Sequence, residues 1–139
     1  MNTIKFAVVG CGHIGKRHAQ IIAEHPQAKL TALIDSKQRD ALNILQADVP
    51  FFSSLNDFFP STIETDVMVI ATPNGSHAQQ AIECLRHDKH VVIEKPMALH
   101  TKDAQEVIDA AGKYQNQCPP IDSAIPNWPP INYYGGYQK

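Results

Sequence analysis

The chain has 139 residues, room for one domain and too few for two, and its 43% hydrophobic content is enough for a packed core. A formal net charge of −2 argues against nucleic acid or an anionic membrane as partner, since both select basic surfaces. No apolar run nears the roughly 18 residues of a membrane span, no signal-peptide pattern opens the chain, and Cys11, Cys84 and Cys118 are too scattered for a disulfide framework or a zinc site. The expectation is a soluble, cytoplasmic protein without a metal.

Ile4-Lys5-Phe6-Ala7-Val8-Val9 is short, apolar and rich in β-branched residues, and reads as a first strand. It runs into Gly10-Cys11-Gly12-His13-Ile14-Gly15, which opens a helix. On that helix Ile14, Ile21 and Ile22 share one face, Lys16, Arg17, Gln20 and Glu24 lie elsewhere, and His25-Pro26 ends it. A second apolar run, Leu30-Thr31-Ala32-Leu33-Ile34, finishes at Asp35. Strand, G-x-G-x-x-G, helix and an acid about 20 residues on make up the dinucleotide-binding fingerprint. Gly10 suits a turn too tight for a Cβ, Gly12 leaves the backbone bare for a pyrophosphate, and Gly15 lets the helix lie close on the strand. The helix amides and dipole then face the phosphates, and Asp35 is placed to accept the hydroxyls of the adenosine ribose.

Further along, Ser36 to Gln46 reads as a weaker helix, with Ala41, Leu42 and Leu45 at helical spacing. Pro50-Phe51-Phe52 reads as a short third strand, and Ser53 to Phe59 as a capped turn or two of helix before Pro60. Asp66-Val67-Met68-Val69-Ile70-Ala71 is a strand buried on both faces. Its loop, Thr72-Pro73-Asn74-Gly75-Ser76, feeds a helix carrying Ala78, Ala81, Ile82 and Leu85 on one side. A strand follows at His90-Val91-Val92-Ile93-Glu94, then Lys95-Pro96, then a last helix with Ala104, Val107, Ile108 and Ala111 on one face, ending at Gly112. Regular alternation of strand and helix predicts an α/β fold, a doubly wound parallel sheet of Rossmann type. From about Asn116 the pattern is lost: Pro119, Pro120, Pro126, Pro129 and Pro130 crowd among Trp128, Tyr133 and Tyr134. Residues 1–115 are read as the dinucleotide-binding domain and 116–139 as an irregular, proline-rich tail.

In an open α/β sheet, ligands lie beyond the carboxyl ends of the strands. Three motifs stand there in order: the glycine loop, Ala71-Thr72-Pro73-Asn74-Gly75-Ser76-His77, and His90-Val91-Val92-Ile93-Glu94-Lys95-Pro96-Met97-Ala98. Together they resemble the N-terminal half of the Gfo/Idh/MocA oxidoreductases, which use a nicotinamide cofactor on sugars, sugar nucleotides, inositols and related polyols. The resemblance implies that Gly10, Gly12, His13, Ile14 and Gly15 hold the pyrophosphate and Asp35 the ribose. It implies that Thr72, Pro73, Asn74 and His77 flank the middle of the cofactor and the nicotinamide ribose. Glu94, Lys95 and Pro96 would sit by that ribose, with Lys95 the catalytic residue reaching the substrate hydroxyl and the Lys95-Pro96 bond cis. Relatives continue with a sixth strand and a second domain that covers the nicotinamide. Here the expectation is that this substrate domain is absent, by truncation or frameshift, and that the chain alone is inactive.

Blander readings stand beside these. Cys11 reads as a small side chain in a tight turn. His13, His18 and His25 have no metal spacing and read as solvated or capping, Lys16 and Arg17 as a solvated face. His77 is open to a role as the mere start of its helix, and Lys95 to one as a surface lysine. Lys37 and Arg39 are placed to accept the extra phosphate of NADP, but the Asp35 carboxylate repels it, so NAD is favoured. The expected function is the NAD(P)-binding domain of a dehydrogenase acting on a sugar, sugar nucleotide or polyol, with homo-oligomerisation left open. The alternative is a stand-alone dinucleotide-binding or assembly module. S-adenosylmethionine binding is disfavoured by Glu94-Lys95-Pro96.

Overall fold

A computed structural model of the chain describes residues 3–114. Five parallel strands, β1 (Ile4–Val9), β2 (Ala28–Ile34), β3 (Phe51–Phe52), β4 (Val67–Ile70) and β5 (His90–Ile93), form one sheet in the order β3-β2-β1-β4-β5. The helices are α1 (His13–Glu24), α2 (Leu55–Phe58), α3 (His77–Arg86) and α4 (Thr101–Tyr114). The chain winds outward from β1 to β3, then returns to β1's other side for β4 and β5. That reversal is the topological switch point where such sheets bind ligands. The tail expected over 116–139 lies outside the described residues.

The sheet carries a core on each face, and the strands supply both by alternation. Phe6, Val8, Val67 and Val69 join Ala19, Ile22, Leu30 and Leu33 on the α1 side. Ala7, Val9, Met68 and Ile70 join Leu55, Phe58 and Cys84 on the side of α2 and α3. Every residue of β4 is buried, as the continuous apolar run predicts. Ser54 caps α2, its hydroxyl accepting from the Asp57 N–H at 3.2 Å.

The expected faces of three helices are corrected. The buried stripe of α1 is Gly15, Ala19 and Ile22, while Ile14 and Ile21 are about half exposed. The helix lies close on the sheet through Gly15 and Ala19, so that of its three isoleucines Ile22 is buried and Ile14 and Ile21 are displaced sideways. On α3 the buried stripe is His77, Ala81, Cys84 and Leu85, with Ala78 and Ile82 at its margin. On α4 Val107 and Ala110 are buried and Ile108 is exposed. That helix also runs through Gly112 to Tyr114, because one interior glycine costs only about 1 kcal/mol and does not end a helix.

The weak helix expected over Ser36 to Gln46 is reduced to a single 3-10 turn, Arg39–Ala41. Asn43 takes a left-handed φ of 50°, which breaks any continuation. Leu42 is buried in the core and Ile44 packs against it, whereas Leu45 is 80% exposed. Arg39 closes the segment instead: Nη1 donates to the Val49 carbonyl at 2.7 Å and Nη2 to those of Gln46 and Ala47 at 2.6 and 2.7 Å.

Candidate functional site

The glycine loop links β1 to α1 at the switch point. Gly10 has φ +90°, a conformation glycine adopts at little cost, and its N–H bonds the Ile34 carbonyl at 2.8 Å. A Cβ there would sit 2.6 Å from the Ala71 carbonyl carbon, so β1 and the end of β4 meet backbone to backbone. Gly12 is the N-cap of α1, with no side-chain cap and no acid in the first turn. The positive end of the helix dipole therefore meets no carboxylate of its own helix. A Cβ on Gly12 would meet nothing within 4 Å, and His13 and Ile14 beside it are exposed. This is the cradle a pyrophosphate needs: bare backbone, exposed N–H groups and open space in front.

Asp35 lies directly against this loop, 24 positions away in sequence. Its Oδ2 accepts from the Cys11 N–H at 2.7 Å and its Oδ1 from the Lys37 N–H at 2.8 Å. Each carboxylate oxygen retains a further acceptor position, so the loop is oriented without exhausting the acid. The Cys11 thiol is buried; burial, then the Asp35 charge, pushes its pKa up to about 12. It stays protonated and packs as a small side chain, with no nucleophilic role.

Thr72, Pro73 and Asn74 follow β4 at the same edge, Pro73 and Asn74 exposed. The Thr72 hydroxyl donates to Gln80 of α3. His77 opens α3 and is only 1% exposed. Its Nε2 faces the Thr72 carbonyl at 2.6 Å and its Nδ1 the Pro96 carbonyl at 2.8 Å. A carbonyl only accepts, so each contact is made when the facing nitrogen carries its proton. The ring thus ties the loop after β4 to the loop after β5. Glu94 follows β5, its N–H on the Ile70 carbonyl at 2.9 Å, and its side chain is half buried. Lys95 and Pro96 are exposed, joined by a cis peptide.

The structure thus brings all thirteen expected positions to one edge of the sheet. Three further contacts were missed. His18, expected to be solvated or capping, meets Glu94, its Nε2 2.5 Å from Oε1. Lys16, expected on a solvated face, donates from Nζ to the Leu42 carbonyl at 2.9 Å. Arg39, considered for a phosphate, is spent on three carbonyls and lies over the Phe51 ring at 5.9 Å. No sequence period joins such partners; His18 and Glu94 are 76 positions apart. Among the described residues no group of three or more His, Cys, Asp or Glu could hold a metal, and no helix is long and apolar enough to cross a membrane.

A doubly wound parallel sheet with a bare glycine N-cap at its switch point and an acid from the end of β2 bonded to that loop defines a dinucleotide-binding Rossmann domain. Comparison with known proteins makes this specific. The family model of the Gfo/Idh/MocA oxidoreductases, described as an oxidoreductase family with an NAD-binding Rossmann fold, matches residues 4–120, and the chain belongs to that family. Its NAD-binding Rossmann fold is the part present. A solved structure of the WlbA dehydrogenase from Bordetella pertussis, in complex with NADH and UDP-GlcNAcA, is 38% identical with a TM-score of 0.75, covering 82% of this chain and 36% of that one. The scyllo-inositol 2-dehydrogenase (NADP(+)) of Bacillus subtilis is 34% identical over 110 residues, 78% of this chain and 33% of its own length. The 2,7-anhydro-N-acetylneuraminate hydratase of Escherichia coli is 32% identical over 107 residues, 77% and 28% respectively. The chain spans about a third of the length of these relatives.

Proposed function

We propose that the chain is the NAD-binding part of a dehydrogenase acting on a hydroxyl of a sugar, sugar nucleotide or related polyol. The observation that carries this reading is the Gly12 cradle with the Asp35 carboxylate bonded into the same loop. In the complete site Gly10, Gly12, His13, Ile14 and Gly15 surround the pyrophosphate and Asp35 takes the adenosine ribose. Thr72, Pro73, Asn74 and His77 form the wall beside the nicotinamide ribose, with His77 acting through the carbonyls it holds. Glu94 accepts from that ribose, and Pro96 fixes the turn behind Lys95. Bound nicotinamide supplies the hydride acceptor. Lys95, exposed at the crevice, takes part in removing the proton from the substrate hydroxyl. The sugar nucleotide UDP-GlcNAcA bound by WlbA and the scyllo-inositol of the Bacillus subtilis dehydrogenase support this substrate class. The protein works in the cytoplasm, where nicotinamide dinucleotide is at hand.

NAD is the preferred cofactor. Asp35 is an anion where NADP carries its extra phosphate, and Arg39 already serves three carbonyls. Asp35→Ala is expected to weaken NAD binding by about 1.5–3 kcal/mol, the range for a hydrogen bond to a charged group, and NADP binding by less. Equal losses by calorimetry would mean that the acid acts only through the Cys11 N–H.

Hydride transfer requires the donor carbon held within about 3–3.5 Å of its acceptor, in line and shielded from water. Within residues 3–114, Lys95 and its neighbours build one wall of such a site. The 139-residue chain is therefore expected to bind NADH, read by fluorescence, and to reduce no NAD above background with a panel of sugars, inositols and sugar nucleotides. Robust turnover would show that the remaining residues or a second chain complete the site. Absence of NADH binding would reject the function itself.

A further inference from the structure

We propose that His18 is a positioning residue for the nicotinamide half of the site, holding the Glu94 carboxylate in place from the helix that serves the pyrophosphate. The inference rests on the dinucleotide reading and adds a residue to it. His18 lies on α1 beside the buried stripe Gly15, Ala19 and Ile22, by which that helix presses on the sheet. From there its ring reaches past β4, with which α1 is in contact, to the end of β5. The Nε2–Oε1 contact of 2.5 Å therefore bridges the two sides of the crevice.

The bond is poorly placed to serve stability. Both side chains are about a third exposed, 31% and 32%, and a solvent-screened pair of this kind adds little to stability. Its geometric effect is larger. The Glu94 backbone is fixed by the Ile70 carbonyl, and the His18 contact removes the freedom left in the side chain. One carboxylate oxygen is engaged and Oε2 is left to accept from a ligand hydroxyl. An acceptor held in advance binds better than one that must be ordered on binding. The adenosine and pyrophosphate, by contrast, are served by groups before residue 36, which the His18 contact does not touch.

The test compares NADH with ADP on the full chain. ADP carries the adenosine and pyrophosphate and lacks the second ribose. His18→Leu is expected to weaken NADH about tenfold, the equivalent of one hydrogen bond to a charged group, and to leave ADP unchanged. His18→Gln, which can place an N–H donor near the Nε2 position, is expected to recover most of the loss. His18→Leu combined with Glu94→Ala should bind NADH no more weakly than Glu94→Ala alone. An unchanged NADH-to-ADP ratio in His18→Leu, or no advantage of glutamine over leucine, would overturn the inference. An unaltered chain that binds neither ligand would overturn the dinucleotide reading itself, and this inference with it.

Discussion

Valine in place of Gly12 is expected to remove nicotinamide dinucleotide binding, by about a hundredfold or more, while the fold loses only about 1 kcal/mol. The two effects separate because the glycine faces outward. Its φ of −70° and ψ of −163° are open to any L-residue, and a Cβ there meets nothing within 4 Å. The stability cost is that of a poorer helix N-cap alone. The binding cost is steric and electrostatic together. A branched side chain fills the space before the first N–H groups of α1, where a pyrophosphate would take its hydrogen bonds and meet the helix dipole. Fluorescence titration with NADH and a calorimetric melt measure the two terms independently. A valine variant that keeps its affinity would mean that the open cradle at position 12 is not the pyrophosphate site.

The strands and the site loops were legible because their signals are local. The β4 run is apolar without interruption and the β1 run is so from Phe6 onward, and each divides its side chains between the two cores as a strand covered on both faces must. The glycine spacing and Asp35 were legible for the same reason: one turn and one acid carry the geometry. Helix faces were read less well. Periodicity weighs large apolar residues, so Ile14 and Ile21 outvoted Gly15 and Ala19. Close packing on the sheet rewards the reverse, and the informative signal was the small pair Gly15 and Ala19 in line with Ile22. His77 was hidden differently. It reads from the sequence as flanking the cofactor or merely starting its helix; its burial was not legible, because the two carbonyls that meet its ring come from separate loops.

The segment after β2 shows a further limit. Its apolar residues have helical spacing, but a single arginine guanidinium supplies donors to three of its carbonyls, and Asn43 turns left-handed. Side-chain closure of a loop leaves no periodic trace. The same is true of Lys16 on the Leu42 carbonyl and of His18 on Glu94.

Alanine in place of Gly15 is expected to do the opposite of valine at Gly12: to destroy the fold, and binding only as a consequence. A Cβ at position 15 would fall 1.6 Å from the Gly10 carbonyl oxygen and 2.7 Å from its carbon. Both are backbone atoms, so no rotamer change relieves the overlap. Nor is Gly10 free to withdraw. Its N–H is held by the Ile34 carbonyl at 2.8 Å, and the direction in which its own Cβ would point is occupied by Ala71 and Thr72 at 2.6–2.7 Å. The helix must move instead. Lifting α1 uncovers Ala19 and Ile22 from the core they share with Val8 and Leu33. Overpacking in a core with mobile side chains costs about 1–3 kcal/mol. With backbone on both sides the cost here is about 3 kcal/mol or more, a large share of the 5–15 kcal/mol that holds a typical domain. Denaturant unfolding is expected to show a sharply lowered midpoint, or no folded chain to measure. Native stability in Gly15→Ala would mean that α1 does not lie this close on β1. The pyrophosphate cradle, which depends on that approach to aim the helix amides at the crevice, would then lose its structural basis.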